Sequence, residues 1–204
     1  VSLPSDVRPS VPVDKAAKAV KRPPIPVKIL VSGGFGVGKT TTVGALSEIE
    51  PLSTEAAMTS ASVGVDYAGE GSQKTTTTVA MDFGRVTIDD SIILYMFGTP
   101  GQDRFGFMWN DLADGALGGI VLVDPSRIDD CFVALDYFEK IGLPFVLAVN
   151  SFAGRSQLTL EQVRSAANVD PAVPVVALDA RSREDVKRAV LTLLQLILSR
   201  AKAA

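Results

Sequence analysis

Residues 28–40 read as a short apolar strand, KILVS, running straight into GGFGVGKT, and few segments restrict a chain's fold as tightly. Gly33, Gly38, Lys39 and Thr40 satisfy the spacing G-x-x-x-x-G-K-[ST]. Glycine lets backbone wrap closely around an anion, so the N–H groups of Gly33, Gly34, Phe35, Gly36, Val37 and Gly38 are expected to point at phosphate oxygens. Lys39 then reaches the β- and γ-phosphates and the Thr40 hydroxyl ligates Mg2+. The helix that opens with Lys39, Thr40 and Thr41 adds the positive end of its dipole. A strand before the glycines and a helical pattern after them supply the context the motif requires. The chain is expected to bind a nucleoside triphosphate, or to descend from one that did.

From Val27 onward, apolar runs alternate with helical patterns. Strands are expected at 27–32, 79–88, 91–97, 118–124, 144–150 and 173–178, and helices at 39–49, around 104–113, and at 128–140, 160–167 and 183–200. That alternation predicts an α/β fold, a three-layer P-loop NTPase sandwich with a mostly parallel six-stranded sheet. The runs on either side of Asp89-Asp90 predict one antiparallel hairpin at the sheet edge. Residues 25–204 form one domain in this reading. Residues 1–24 are Pro-rich, carry Lys15, Lys18, Lys21 and Arg22 before Pro23-Pro24, and are expected to be a disordered basic arm. The last helix begins with a capping box of Ser182 and Asp185 and has a core stripe of Val186, Ala189, Val190, Leu193, Leu194 and Ile197. Leu191, Leu196 and Leu198 widen that stripe, which leaves both full burial and a partner face open.

Composition narrows the chemistry. With no histidine and a single cysteine, Cys131, the chain excludes imidazole catalysis, His-ligated metals, a disulfide within the chain and a zinc site. Cys131 is most simply a small core residue. A net charge of −3 gives no general attraction to nucleic acid. A chain that can build neither a disulfide nor a zinc site is expected to be cytoplasmic, and its sequence shows no run of eighteen or more apolar residues and no signal peptide. Any membrane attachment would be peripheral, through a partner or the basic N-terminal arm.

Two further motifs choose among nucleotide proteins. TTTTVAMDFGRVTI followed by FGTPGQDRF resembles the switch regions of Ras-like small GTPases. FGTPGQDRF, the LVD that ends the next strand, and VNSFAG together resemble the bacterial MglA-type GTPases, in particular those of actinobacterial conservons. The resemblance covers about residues 26–200. It implies a signalling switch that binds GTP or GDP with Mg2+ and hydrolyses GTP slowly. It also implies two partners from the same operon, a roadblock-type regulator and a sensor-kinase-like protein. By this resemblance Thr78 would bind Mg2+ and sense the γ-phosphate, Gly101 would turn its N–H to that phosphate, and Gln102 would orient the attacking water beside Lys39. Asn150, Asp179, Ala180 and Arg181 would hold the base, with the Ala180 N–H meeting its carbonyl.

Four departures limit that inference. Gly98 stands where Ras-like chains carry the aspartate behind Mg2+; Asp82 and Asp124 are possible substitutes, each more simply structural. Guanine selectivity normally comes from N-K-x-D, but the segment here is Asn150-Ser151-Phe152-Ala153. Losing the selective carboxylate should cost about 1.5–3 kcal/mol of guanine preference. Phe35 sits in the phosphate loop, where it would crowd a partner's arginine; Arg85 and Arg104 are candidate internal fingers. Phe105, Phe107, Met108 and Trp109 are too many large apolar residues for one helix face, so part of this cluster is expected to form an effector surface. Two alternatives remain beside the GTPase: a P-loop ATPase with relaxed base selectivity, favoured by Ala153, and a pseudo-GTPase scaffold with weak nucleotide binding.

Overall fold

A computed structural model describes residues 23–50, 52–57, 78–101, 108–151 and 158–203, with backbone alone at 52–57 and 78–80. These residues form one seven-stranded sheet flanked by five α-helices. The strands are β1 (Ile25–Ser32), β2 (Leu52–Ala57), β3 (Thr78–Asp89), β4 (Ile92–Gly98), β5 (Ala116–Val123), β6 (Phe145–Asn150) and β7 (Val175–Leu178). Their order across the sheet is β2-β3-β4-β1-β5-β6-β7. The pairs from β4 to β7 are parallel, whereas β3 is antiparallel to both β2 and β4. The helices are α1 (Lys39–Leu46), α2 (Trp109–Ala113), α3 (Phe132–Lys140), α4 (Leu160–Ala167) and α5 (Arg183–Ala203), with a 3-10 turn at Ile128–Cys131 leading into α3.

Side-chain alternation along the central strands splits the core into two layers. Ile29 and Val31 of β1, Ile120 and Leu122 of β5, and Val146 and Ala148 of β6 pack with Val43 and Leu46 of α1 and Val186, Val190 and Leu193 of α5. Leu30, Val121, Val123, Leu147 and Val149 face the other way, onto Trp109, Leu135, Phe138 and Val163 of α2, α3 and α4. Strands buried on both faces account for the nearly unbroken apolar runs in the sequence. The fold is therefore the α/β P-loop NTPase sandwich expected.

All six expected strands form, and β2 adds a seventh. The expected antiparallel β3–β4 hairpin forms, one strand in from the sheet edge, and its turn is tied by Asp89 Oδ1, which accepts from the N–H groups of Ser91 (2.7 Å) and Ile92 (3.0 Å). Outside it, β2 pairs with β3 from Leu52↔Phe83 to Ala57↔Thr78. The sequence LSTEAA has little intrinsic strand preference; the exposed edge of a twelve-residue partner strand decides its conformation. In α5, Asp185 N–H donates to Ser182 Oγ, but the Asp185 carboxylate turns to Asp179 N–H (3.1 Å) and Arg188 Nη2 (2.8 Å) instead of closing the capping box. Leu194, Leu196 and Ile197 are half-buried against the core, while Leu191 and Leu198 are exposed. No helix among the described residues is long and apolar enough to cross a membrane. The arm expected over residues 1–24 lies outside the described residues up to position 22.

Trp109 corrects one expectation. It is buried rather than part of an effector surface, packing edge-on against Tyr137 at 5.1 Å and obliquely against Phe138 at 6.3 Å. Met108 is half-buried, and Phe105 and Phe107 lie outside the described residues. Truncating Trp109 to alanine should lower stability by about 3 kcal/mol in denaturant unfolding. The lower end of the usual range is expected because the indole N–H has no partner among the described residues to lose.

Candidate functional site

The GGFGVGKT loop leaves the C-terminal end of β1 at the centre of the sheet and feeds α1. Three of its glycines have positive φ, Gly33 (133°), Gly36 (72°) and Gly38 (105°), and two of these have no space for a side chain. A Cβ on Gly33 would lie 2.5 Å from the Leu122 carbonyl oxygen, and one on Gly38 would lie 2.8 Å from Asn150 Nδ2. Inside the loop, Lys39 Nζ donates to the carbonyls of Gly33 (2.8 Å) and Gly34 (2.7 Å). Burial lowers the Lys39 pKa from 10.5 to about 8, against the opposing pull of the Asp82 carboxylate. Gly101 packs against Lys39 Nζ and the Gly34–Phe35 peptide, so that a Cβ would run into the Lys39 amine and press tightly on the Gly34 carbonyl oxygen and the Phe35 nitrogen. It is anchored from behind, where Ser32 Oγ and Thr99 Oγ1, both buried, share a hydrogen bond of 2.9 Å and Thr99 N–H donates to the Val31 carbonyl (2.9 Å).

The neighbouring strand β3 places a carboxylate beside position 98. Asp82 and Gly98 are directly opposed in the β3–β4 ladder. The Asp82 side chain covers Gly98, where a Cβ would lie 2.9 Å from Asp82 Oδ2. From there Asp82 Oδ2 accepts the Thr40 hydroxyl at 2.7 Å. A hydroxyl and a carboxylate, both hard oxygen donors, thus sit beside the first turn of α1, a set that suits Mg2+. Asp124 is used elsewhere: although buried, it accepts the Ser126 N–H (2.9 Å) and hydroxyl (2.6 Å) within its own turn. Thr78 opens β3 opposite Ala57, four residues along the strand from Asp82. Thr41 is exposed on α1, next to Thr40.

At the end expected to hold the base, Asn150 is a buried brace. Its Nδ2 donates to the Val37 carbonyl (2.9 Å) and its Oδ1 accepts the Ala180 N–H (3.0 Å), which ties the phosphate loop to the loop after β7. The Ala180 N–H, expected to meet a base carbonyl, is spent here on Asn150. Asp179 accepts Arg181 Nε (2.9 Å) and Nη2 (2.8 Å) side-on, and these bonds hold its carboxyl down at about 2. Gln102, Arg104 and Ala153 lie outside the described residues. Arg85 lies past the C-terminal end of α1, where its N–H donates to Ser47 Oγ and its carbonyl accepts the Glu48 N–H, away from Lys39. Sequence reasoning missed Arg127, whose guanidinium donates to the Phe35 carbonyl of the phosphate loop at 3.1 Å. Its only signal was an arginine shortly after the LVD strand end, too common a pattern to single out.

A family model described as "Conserved hypothetical ATP binding protein" matches residues 31–201, from the end of β1 through nearly all of α5. The chain belongs to this family. It is also similar to a protein of Methanocaldococcus jannaschii, named as the uncharacterized protein MJ1339, with 36% identity over 101 residues. That alignment covers 50% of this chain and 53% of the relative, so the match spans about half of the relative's length.

Family membership overturns the resemblance to Ras-like, MglA-type and conservon GTPases. The physical reason lies in where that resemblance was carried. A triphosphate presents the same oxygens whatever its base, so FGTPGQ beside a phosphate loop reports phosphate geometry and not a GTPase lineage. The roadblock-type and sensor-kinase-like partners rested on that resemblance alone and lose their basis with it.

Proposed function

We propose that the chain binds ATP at the GGFGVGKT loop together with Mg2+ and hydrolyses it slowly to ADP and phosphate. The observation that carries this reading is the Lys39 ammonium held inside the glycine loop, next to the Thr40–Asp82 pair. The family's description as ATP binding supports adenine over guanine.

Lys39 would exchange its two carbonyl partners for phosphate oxygens, keeping its charge compensated as the ligand enters. Thr40 would hold Mg2+ with Asp82 behind it, and a bound ion would supply neutralisation of the phosphate charge. Gly101, already against Lys39, would present its N–H to the terminal phosphate. Gln102, the next residue in the chain, is the candidate to orient the water that attacks phosphorus. As the new P–O bond forms, the bond to the β,γ-bridging oxygen breaks, ADP leaves with that electron pair, and the water's proton passes to phosphate. Phosphoryl transfer of this kind needs positioning and charge stabilisation more than a strong base, and a chain without histidine can supply both.

Trp109 is the only tryptophan, so its fluorescence can follow titration with ATP, GTP and ADP, with and without Mg2+. Submicromolar, Mg2+-dependent ATP binding followed by release of inorganic phosphate is expected. Binding of GTP alone would reject the adenine assignment. Failure to bind either nucleotide would leave the fold as a scaffold.

Binding should also weaken with pH. The protonated amine is the form that pairs with phosphate, and burial leaves the free protein's Lys39 with a pKa of about 8. Bound phosphate raises that value, so above pH 8 binding takes up a proton. The association constant should fall about tenfold per pH unit from there up to the pKa of the complex. A flat calorimetric profile between pH 7 and 9.5 would contradict the assignment of Lys39 to phosphate.

A further inference from the structure

We infer that Arg127 is a positioning residue for the phosphate loop, fixing the Phe35–Gly36 peptide from outside so that the Gly36 N–H faces the phosphates. The inference rests on the nucleotide reading above and deepens it.

The guanidinium has three anchors. Nη2 donates to the Phe35 carbonyl at 3.1 Å, Nη1 lies 3.3 Å from Asp130 Oδ2, and Nε lies 3.4 Å from Asp124 Oδ2. Asp124 is itself immobilised, being buried and bonded by the Ser126 N–H and hydroxyl. The backbone of the turn is closed by Arg127 N–H on the Asp124 carbonyl (2.9 Å) and Asp130 N–H on the Arg127 carbonyl (3.2 Å). Asp130 backs directly onto Gly34, where an added Cβ would run into the Asp130 side chain. The turn after β5 therefore touches the phosphate loop at two successive residues, Gly34 and Phe35.

The trio carries two carboxylates and one guanidinium, so its net charge is negative and it does not attract an anion at a distance. Its effect is geometric. The described peptides are all trans, and in a trans peptide the C=O and N–H point in opposite directions. Holding the Phe35 carbonyl outward on Arg127 therefore aims the Gly36 N–H away from Arg127, into the loop. A cation on the carbonyl also polarises the peptide, which makes that N–H a stronger donor. Gly36 has φ 72° and belongs to a loop of glycines that would otherwise sample many conformations. The same contact holds Phe35 with its side chain exposed at the mouth of the loop. A lysine at 127 would keep the charge but cannot span three separated acceptors.

The test compares the parent with Arg127→Ala and Arg127→Lys by two measurements. The first is hydrogen exchange of the 34–38 amides in nucleotide-free protein. The second is affinity for ATP and for inorganic tripolyphosphate, which has the phosphates without a base. Both variants should exchange these amides about tenfold faster and lose about tenfold in affinity for both ligands by the same factor, with thermal unfolding little changed. Parental exchange together with parental tripolyphosphate affinity would overturn the inference, and so would full function in Arg127→Lys. A loss confined to ATP would overturn it too, since it would place Arg127 at the base. If the parent binds no ATP while loop exchange still responds to Arg127, the ATP reading fails and the holding of the loop stands.

Discussion

ATP affinity is expected to fall about a thousandfold when Lys39 is replaced by alanine, with the fold retained. The amine makes two hydrogen bonds inside the loop and would make two charge-assisted ones to phosphate. Each of the latter is worth about 1.5–3 kcal/mol, and roughly 4 kcal/mol together corresponds to that factor. The fold should survive because the free protein holds this charge at a cost. The folded pKa of about 8 lies below the ordinary 10.5, so the penalty is fully present below pH 8 and fades as pH rises to 10.5. At pH 7 the alanine variant loses two bonds to carbonyls but also sheds a desolvated ammonium, and its unfolding midpoint should stay close to the parent's. Calorimetric titration checks the first expectation and thermal unfolding the second. A folded Lys39→Ala protein that binds ATP within about threefold of the parent would remove this loop as the phosphate site.

The second large effect concerns the carboxylate that sits on β3 instead of β4. Asp82→Ala should raise the Mg2+ concentration needed for ATP binding by about ten- to a hundredfold, the usual cost of removing a group that orients a metal ligand. Gly98→Asp alone should not help. Its Cβ would lie 2.9 Å from Asp82 Oδ2 and bring two carboxylates together, so a loss of about 1–3 kcal/mol in stability and weaker Mg2+ dependence are expected. Moving the carboxylate across the ladder, Asp82→Gly with Gly98→Asp, should recover most of the Mg2+ response, because the two residues are directly opposed on one face. Unchanged Mg2+ dependence in Asp82→Ala would show that Asp82 does not serve the ion. A double variant as poor as Asp82→Ala would show that the two positions are not equivalent.

Much of the fold was legible because its signals are local. The apolar runs of β1, β5 and β6 are buried on both faces and show it in composition, and Asp89-Asp90 marks the hairpin turn. β2 was not legible: Leu52–Ala57 becomes a strand only because β3 offers an unpaired edge. Trp109 misled for a related reason. The excess of aromatics around α2 indicated an exposed surface, yet α3 supplies Tyr137 and Phe138 to receive the indole.

The phosphate end of the site behaves in the same way. Lys39, Thr40 and the loop glycines could be named from spacing, since a phosphate imposes its geometry on a short contiguous segment. Ancestry could not be read from those residues, because any chain that holds a triphosphate in this fashion converges on similar ones.

The sequence by itself therefore determined a P-loop in an α/β sandwich and named Lys39 and Thr40 as its phosphate-side candidates. Only the tertiary structure decided that Asp82 covers Gly98 and accepts the Thr40 hydroxyl, that Asn150 is consumed as a brace, and that Arg127 grips the loop from outside. Each of these rests on residues distant in sequence that are brought together by strand register and by the turn after β5. Periodicity and motif spacing record neighbours along the chain, and these contacts are made across it.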